Sequence, residues 1–241
     1  MIFFKRIKKY LKFLKSLYKT NWLLLRGMWK LTKLPQPTIT VFGGSRIKKD
    51  DIYAKRAFEL SKKLVEEGFS IITGGGGGIM EAANQGAYEA ASEHGIKNGL
   101  KKIRMTSIGI TLTSFKKDGF VNPYLQEKIF MNHFFSRKWL MVRYAVGFAV
   151  FPGGFGTLDE LFEIITLEQC YRMPKIPIVL MDKRYWDPII HWMRSRALKH
   201  NLVSESDLDI IYVTSDVDKA VEILCKYCKK RKMMKHPLYS R

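Results

Sequence analysis

From residue 38 onward, short apolar runs alternate with longer amphipathic segments. Runs at 38–42, 69–73, 107–112, 147–151, 176–181 and 209–213 are nearly continuous in apolar residues and short enough for strands. Between them, residues 51–67, 79–93, 124–146, 157–171, 186–199 and 216–230 read as helices. In the first of these, Ile52, Phe58, Leu60, Leu64 and Val65 share one side and Gly68 ends the segment. Ser215 or Asp216 caps the last. Residues 113–123 read as a polar loop. Alternation of helices with strands that are apolar on both faces predicts a doubly wound, Rossmann-like parallel sheet with helices on both faces. Ligands in such sheets bind outside the carboxyl ends of the strands. Three Gly-rich turns, at 43–46, 74–78 and 152–156, fall on that edge.

The first 34 residues follow a different rule. Phe3, Ile7, Tyr10, Leu14, Leu17 and Tyr18 recur at spacings of three and four, continuing to Leu25, Met28 and Trp29, while most lysines fall on other faces. This predicts a basic amphipathic helix ended by Pro35 and Pro37. Its longest apolar run is 22–25, far short of the ~20 residues a span needs. It also lacks the apolar region and small-residue site of a signal peptide. Three uses stay open: packing on the domain or on a second subunit, lying on an anionic membrane surface, and targeting or nucleic-acid contact.

Charge follows the same division. The chain has 241 residues, 46% of them hydrophobic, and a net charge of +20. Residues 1–34 hold ten Lys/Arg and residues 226–241 hold seven, with no acid in either stretch. The remainder carries 25 basic residues against 22 acidic ones. A nucleic-acid enzyme carries a basic face on its folded body, so no specific nucleic-acid partner is expected. The organisation read from the sequence is a helical arm at 1–34, one α/β domain at 35–230 and a basic tail at 231–241. Cys170 stands alone, and Cys225 and Cys228 sit on a late Lys-rich helix. A structural zinc site needs four ligands and a disulfide framework needs more cysteines, so a reduced, cytoplasmic chain without metal is expected. The arm leaves room for a peripheral position at the membrane.

A strand followed by a Gly-rich turn and a helix suits an anion, because glycine lets backbone approach a phosphate and the first helical N–H groups point at it. Residues 74–78 and 153–157 both have this form, and Thr157 adds a hydroxyl. Neither is a P-loop or a dinucleotide fingerprint. Tight backbone packing accounts for five glycines equally well.

The two turns together are more specific. Gly74-Gly75-Gly76-Gly77-Gly78-Ile79-Met80, followed by Pro152-Gly153-Gly154-Phe155-Gly156-Thr157-Leu158-Asp159-Glu160, resembles the paired signatures of the Lonely Guy (LOG) family, a G-G-G-x-x-G-x-M-like loop and P-G-G-x-G-T-x-x-E. With Met80 in register the last glycine of the first falls at Gly78, so that match is imperfect; the second is complete. Arg137-Lys138 stands where the family has its Arg-Lys pair. The resemblance runs from about residue 38 to 230. Similar proteins were long labelled lysine decarboxylases, yet no Schiff-base lysine or pyridoxal-phosphate constellation is evident, and no cofactor is expected.

The resemblance implies hydrolysis of a nucleoside 5′-monophosphate to free base and ribose 5-phosphate. It places the catalytic pair at Arg137 and Glu160. Substrate and phosphate contacts fall at Gly75, Gly76, Gly78, Met80, Lys138, Gly153, Gly154, Phe155, Gly156, Thr157 and Thr166. It also implies a homodimer or larger homo-oligomer; Phe130, Phe134, Phe135, Trp139 and Leu140 suit such an interface and suit the core equally. Plant-type members carry Pro-Arg-Glu after the third strand, where this chain has residues 113–119, and Asn122-Pro123-Tyr124 resembles the bacterial branch. A broader purine monophosphate such as AMP is therefore expected over cytokinin nucleotides. The alternative is a non-catalytic nucleotide sensor or carrier on the same fold. Taken singly, Glu160 reads as a carboxylate favoured by a helix dipole, Arg137 as a surface ion pair and Thr166 as a hydroxyl bonded to its own helix. Ser45-Arg46 are further phosphate candidates, and His133 reads as a packing or solvated residue.

Overall fold

Seven parallel strands form one sheet in the order β4-β3-β2-β1-β5-β6-β7. They are β1 (Thr38–Phe42), β2 (Ser70–Thr73), β3 (Ser107–Leu112), β4 (Glu127–Met131), β5 (Ala145–Val150), β6 (Ile178–Met181) and β7 (Ile211–Thr214). The structure is a computed structural model and describes residues 2–34, 37–97, 104–117 and 119–232. The chain builds outward from β1 to β4, then returns to lay β5 against the other side of β1. The crevice between β1 and β5 is thus the topological switch point, the usual ligand position in this fold.

The strands divide their side chains between two cores. Phe42, Phe148, Val150, Ile178 and Leu180 face one layer, and Ile39, Val41, Ala149, Val179 and Met181 the other. This is the period-2 alternation of a sheet buried on both sides. One layer is covered by α2 (Ile52–Glu66), α3 (Ile79–Lys97) and α9 (Val217–Lys232). The other is covered by α5 (Phe134–Arg143), α6 (Phe155–Gln169), α7 (Lys183–Trp192) and the end of α1 (Ile2–Thr32). Two short helices, α4 (Thr113–Lys117) and α8 (Glu205–Leu208), lie in connections. Asp216 caps α9, accepting from the N–H groups of Asp218 and Lys219.

Several segments differ from the sequence reading. Residues 124–146 are not one helix: β4 and β5 flank the ten-residue α5. β4 escaped because only Ile129 and Met131 of its residues are buried. It is an edge strand, identified only by pairing with β3 and by the arm packed over it. The loop at 113–123 contains α4, whose Thr113 donates its hydroxyl to the Met131 carbonyl. The proposed interface residues divide: Leu140 is core, whereas Phe134, Phe135 and Trp139 are exposed. The helix expected at 186–199 starts earlier, at an Asp182 cap, and widens to π-helical over Met193–Leu198. The helix that holds Cys225 continues to Lys232, and most of the basic tail, 233–241, lies outside the described residues.

The arm is one 31-residue helix. Leu31 is core, and Leu23, Leu24 and Met28 pack beside it against α5 and β4. Lys30 pairs with Glu127 at 2.5 Å, and Ser16 lies 3.3 Å from the His133 ring nitrogen.

Candidate active site

The three Gly-rich turns meet at the switch point. The Gly44 N–H donates to the Pro152 carbonyl at 2.9 Å, and the Ile79 N–H donates to the Gly44 carbonyl at 3.1 Å. The turn after β1 therefore ties the other two together. Bare backbone makes this approach possible. A Cβ on Gly78, whose φ is +63°, would stand 2.3 Å from the Gly44 oxygen, and one on Gly153 would stand 2.2 Å from Thr157 Oγ1. Gly154 and Gly156, by contrast, have nothing within 4 Å of a Cβ position. They are exposed and flank Phe155, 93% exposed, at the head of α6. Gly154 caps that helix without a side chain, so its first backbone N–H groups open onto accessible space. Thr157 is buried just behind them.

The other glycine loop is braced from beneath. Gly75 and Gly76 are buried, and the side chain of Met80 lies over Gly74 and Gly76. Asn122 donates its N–H to the Gly75 carbonyl and its side-chain amide to the Gly76 carbonyl, both at 3.0 Å. The same amide reaches Asn84 Oδ1 at 3.1 Å, which also accepts from the Thr73 hydroxyl at 2.6 Å. Buried polar groups keep their place when every one is paired, and this network holds the loop by that rule. Sequence reasoning missed Asn84. Its signal was an amide on an Ala-rich helix, and only the fold shows that it is fully buried.

Arg137 is 7% exposed rather than a surface ion-pair residue. Its Nε donates to the Ile110 carbonyl at 2.9 Å and its guanidinium lies against Gly74. Burial holds the guanidinium below its ordinary value, with the charge of Glu160 acting in the opposite direction. Glu160 is half-buried on the first turns of α6. Burial raises its carboxyl to about 7. Arg137 and Lys138 lower it, and Asp159 and Glu163 push it further up. Desolvation outweighs the neighbouring cations, leaving a carboxyl poised to exchange a proton near neutrality.

Lys138 is committed to protein partners. Its Nζ lies 2.9 Å from Asp159 Oδ2 and 2.5 Å from Glu163 Oε2. Burial opposes its charge, and the two carboxylates more than compensate, so its pKa is raised. Thr166 is exposed, and its hydroxyl donates to the Phe162 carbonyl of its own helix at 2.7 Å. Ser45 and Arg46 are exposed, with the Ser45 backbone beside Gly78. Tyr185, not foreseen from the sequence, donates its hydroxyl to the Gly153 carbonyl. It rises from the first turn of α7, which Asp182 caps by accepting the Tyr185 N–H at 3.0 Å. Asp182 also takes Arg56 at 3.2 Å and holds a φ of +84°, a left-handed conformation rare outside glycine. Among the described residues no group of three or more His, Cys, Asp or Glu side chains is placed to hold a metal.

Fold and site define a doubly wound α/β protein whose Gly-rich turns converge, at the switch point, on a buried guanidinium and a raised carboxyl. A family model described as "Possible lysine decarboxylase" matches residues 80–224. The chain belongs to this family, that of the LOG proteins. It is 29% identical over 175 residues to the cytokinin riboside 5′-monophosphate phosphoribohydrolase LOG of Oryza sativa subsp. japonica, across 72% of this chain and 66% of that one, just under two thirds of the relative's length. It is 26% identical over 193 residues to LOG2 of Arabidopsis thaliana, which bears the same enzyme name, across 80% and 84% of the two chains. Among solved structures, the molybdenum cofactor binding protein of Rippkaea orientalis superposes with a TM-score of 0.56 at 19% identity, covering 84% of this chain and 100% of that one. The Moco carrier protein of Chlamydomonas reinhardtii gives 0.51 at 19% identity, covering 81% and 99%. At such identities these two structures speak to the fold alone.

Proposed function

We propose that the chain hydrolyses the N-glycosidic bond of purine nucleoside 5′-monophosphates, AMP-like in the first instance, to free base and ribose 5-phosphate. The observation that carries this reading is the carboxyl of Glu160, raised to about 7 beside the buried Arg137 and just inside the open glycine turn of α6. The names of the plant relatives point the same way.

In this reading the phosphate sits on the bare backbone of Gly154 and Gly156 at the helix N-terminus. That anchor sets the ribose beside Glu160. Departure of the base leaves positive charge on the sugar, and a nearby carboxylate stabilises it. The same carboxylate takes a proton from the attacking water and passes it to the base, which departs with the electron pair of the broken N-glycosidic bond; a group whose pKa lies near the working pH fills this role best. Arg137 keeps Glu160 ionisable despite its burial. Lys138 and its two carboxylates border the pair and tune it. Thr157 backs the phosphate turn, and Met80 with Gly75, Gly76 and Gly78 forms the opposite wall.

Incubation with AMP and other nucleoside monophosphates, followed by chromatography for free base, tests the proposal. Release of base by the parent chain and its loss in Glu160→Gln support it. Tight binding of monophosphates without any base release would replace it with a carrier or sensor.

A further inference from the structure

The arm carries two apolar faces, and the domain uses one. Successive helical residues turn by about 100°. Thr20, Leu24, Gly27 and Leu31, the residues turned to the domain, share one side of α1. Ile7, Leu11, Leu14, Tyr18, Leu25 and Trp29 share another, roughly a third of a turn away. That second stripe is exposed from end to end, from 40% at Leu14 to 75% at Tyr18. Residues 3–15 are exposed throughout, so the first half of the helix projects beyond its seat on β4 and α5. The domain takes the arm through Leu23, Leu24, Met28 and Leu31 and leaves this second stripe uncovered.

The border of the stripe is uniformly cationic. Lys8, Lys12, Lys15, Lys19, Arg26 and Lys33 fall within one narrow arc beside it, and no acid occurs anywhere in residues 1–34. Large amphipathic rings stand on or beside the apolar side, including Tyr10, Tyr18, Trp22 and Trp29. No helix among the described residues is long and apolar enough to cross a membrane.

We infer that α1 lays this stripe into the headgroup region of an anionic lipid surface, with the basic arc on the lipid phosphates and carboxylates. Charge decides the occupant. A second copy seated on the same stripe would bring two acid-free arms of ten cations each together, whereas an anionic leaflet neutralises them. Aromatic rings with one polar edge suit the depth at which such a helix lies. The domain is held on a different face of the helix. This inference is independent of the reaction proposed above.

Flotation of the full chain with phosphatidylcholine vesicles containing phosphatidylserine, against pure phosphatidylcholine vesicles, tests it. The parent binds the anionic vesicles at least about tenfold more tightly, with a blue shift of tryptophan emission, and releases as salt is raised. The double variant Leu14→Glu with Trp22→Glu alters one stripe residue and one exposed ring beside it, neither of which packs in the domain core. It keeps the parental melting temperature and nucleotide chemistry and loses vesicle binding by at least about tenfold. Two results overturn the inference. Undiminished binding by the double variant would assign the attraction to charge alone. A parent that ignores vesicles but dissociates to a smaller species on the same substitutions would assign the stripe to a second copy.

Discussion

The guanidinium of Arg137 occupies the space that a side chain on Gly74 would fill: Nη2 lies 1.8 Å from the Cβ position. The glycine loop and the arginine are therefore one fitted unit, and a glycine at 74 is what that fit requires. Gly74→Ala is expected to force Arg137 out of its seat against Ile110, leaving a folded protein with at least about tenfold lower kcat and a stability loss of about 1–3 kcal/mol. The two residues couple, so in an Arg137→Ala background the same alanine costs much less stability. A double-mutant cycle of thermal unfolding and base release measures both effects, and strict additivity would show that the fit does not matter.

Glu160→Gln separates chemistry from stability. The folded protein holds the Glu160 proton more tightly than the unfolded chain does, its value rising from 4.5 to about 7. Such a group favours folding fully below the unfolded value, and that contribution is lost as pH rises through about 7. Glutamine mimics the protonated form at every pH. The variant is thus expected to gain about 2 kcal/mol over the parent at pH 8 and to match it near pH 4. Its kcat falls by about a hundredfold to ten-thousandfold. In the parent, kcat/KM rises with pH through about 7 as the base ionises. Denaturant unfolding at the two pH values, with a pH–rate profile, decides the matter.

Lys138 reaches the site through charge. It lowers Glu160 directly while pairing Asp159 and Glu163, which raise it. Lys138→Met removes the cation and leaves both carboxylates uncompensated. The inflection of the pH–rate profile should move to higher pH, and an unmoved inflection would make Lys138 a structural residue only.

Tyr185 is a positioning residue in this arrangement. Its hydroxyl holds the Gly153 carbonyl, and with it the turn on which the proposed reaction seats the phosphate. Tyr185→Phe should cost about 1 kcal/mol of stability and raise KM severalfold with kcat nearly unchanged. A fall in kcat at constant KM would place the hydroxyl in the chemistry instead. Tyr185 left no signal in the sequence, because its role depends on the end of β6 lying beside the end of β5.

Much of the fold, and the make-up of the candidate site, was already present in the order of residues. Six of the seven strands are continuous apolar runs, and such runs report a sheet buried on both faces wherever they occur. Glu160 and the glycines around it share one local stretch, so their proximity needed no fold to reveal it. What required tertiary structure was every property set by distant neighbours. The edge strand β4 exists through pairing with β3, and its own residues carry too little apolar signal. Arg137, on a helix that could equally have faced water, is drawn inside by Ile110 and the vacancy at Gly74. Burial then sets the proton affinity of Glu160, since desolvation depends on what surrounds a group and not on which group it is. The arm shows the same division. Its helical period and its charge are written in residues 1–34, but which apolar face the domain takes, and which it leaves exposed, is decided only when Leu24, Gly27 and Leu31 settle against α5 and β4.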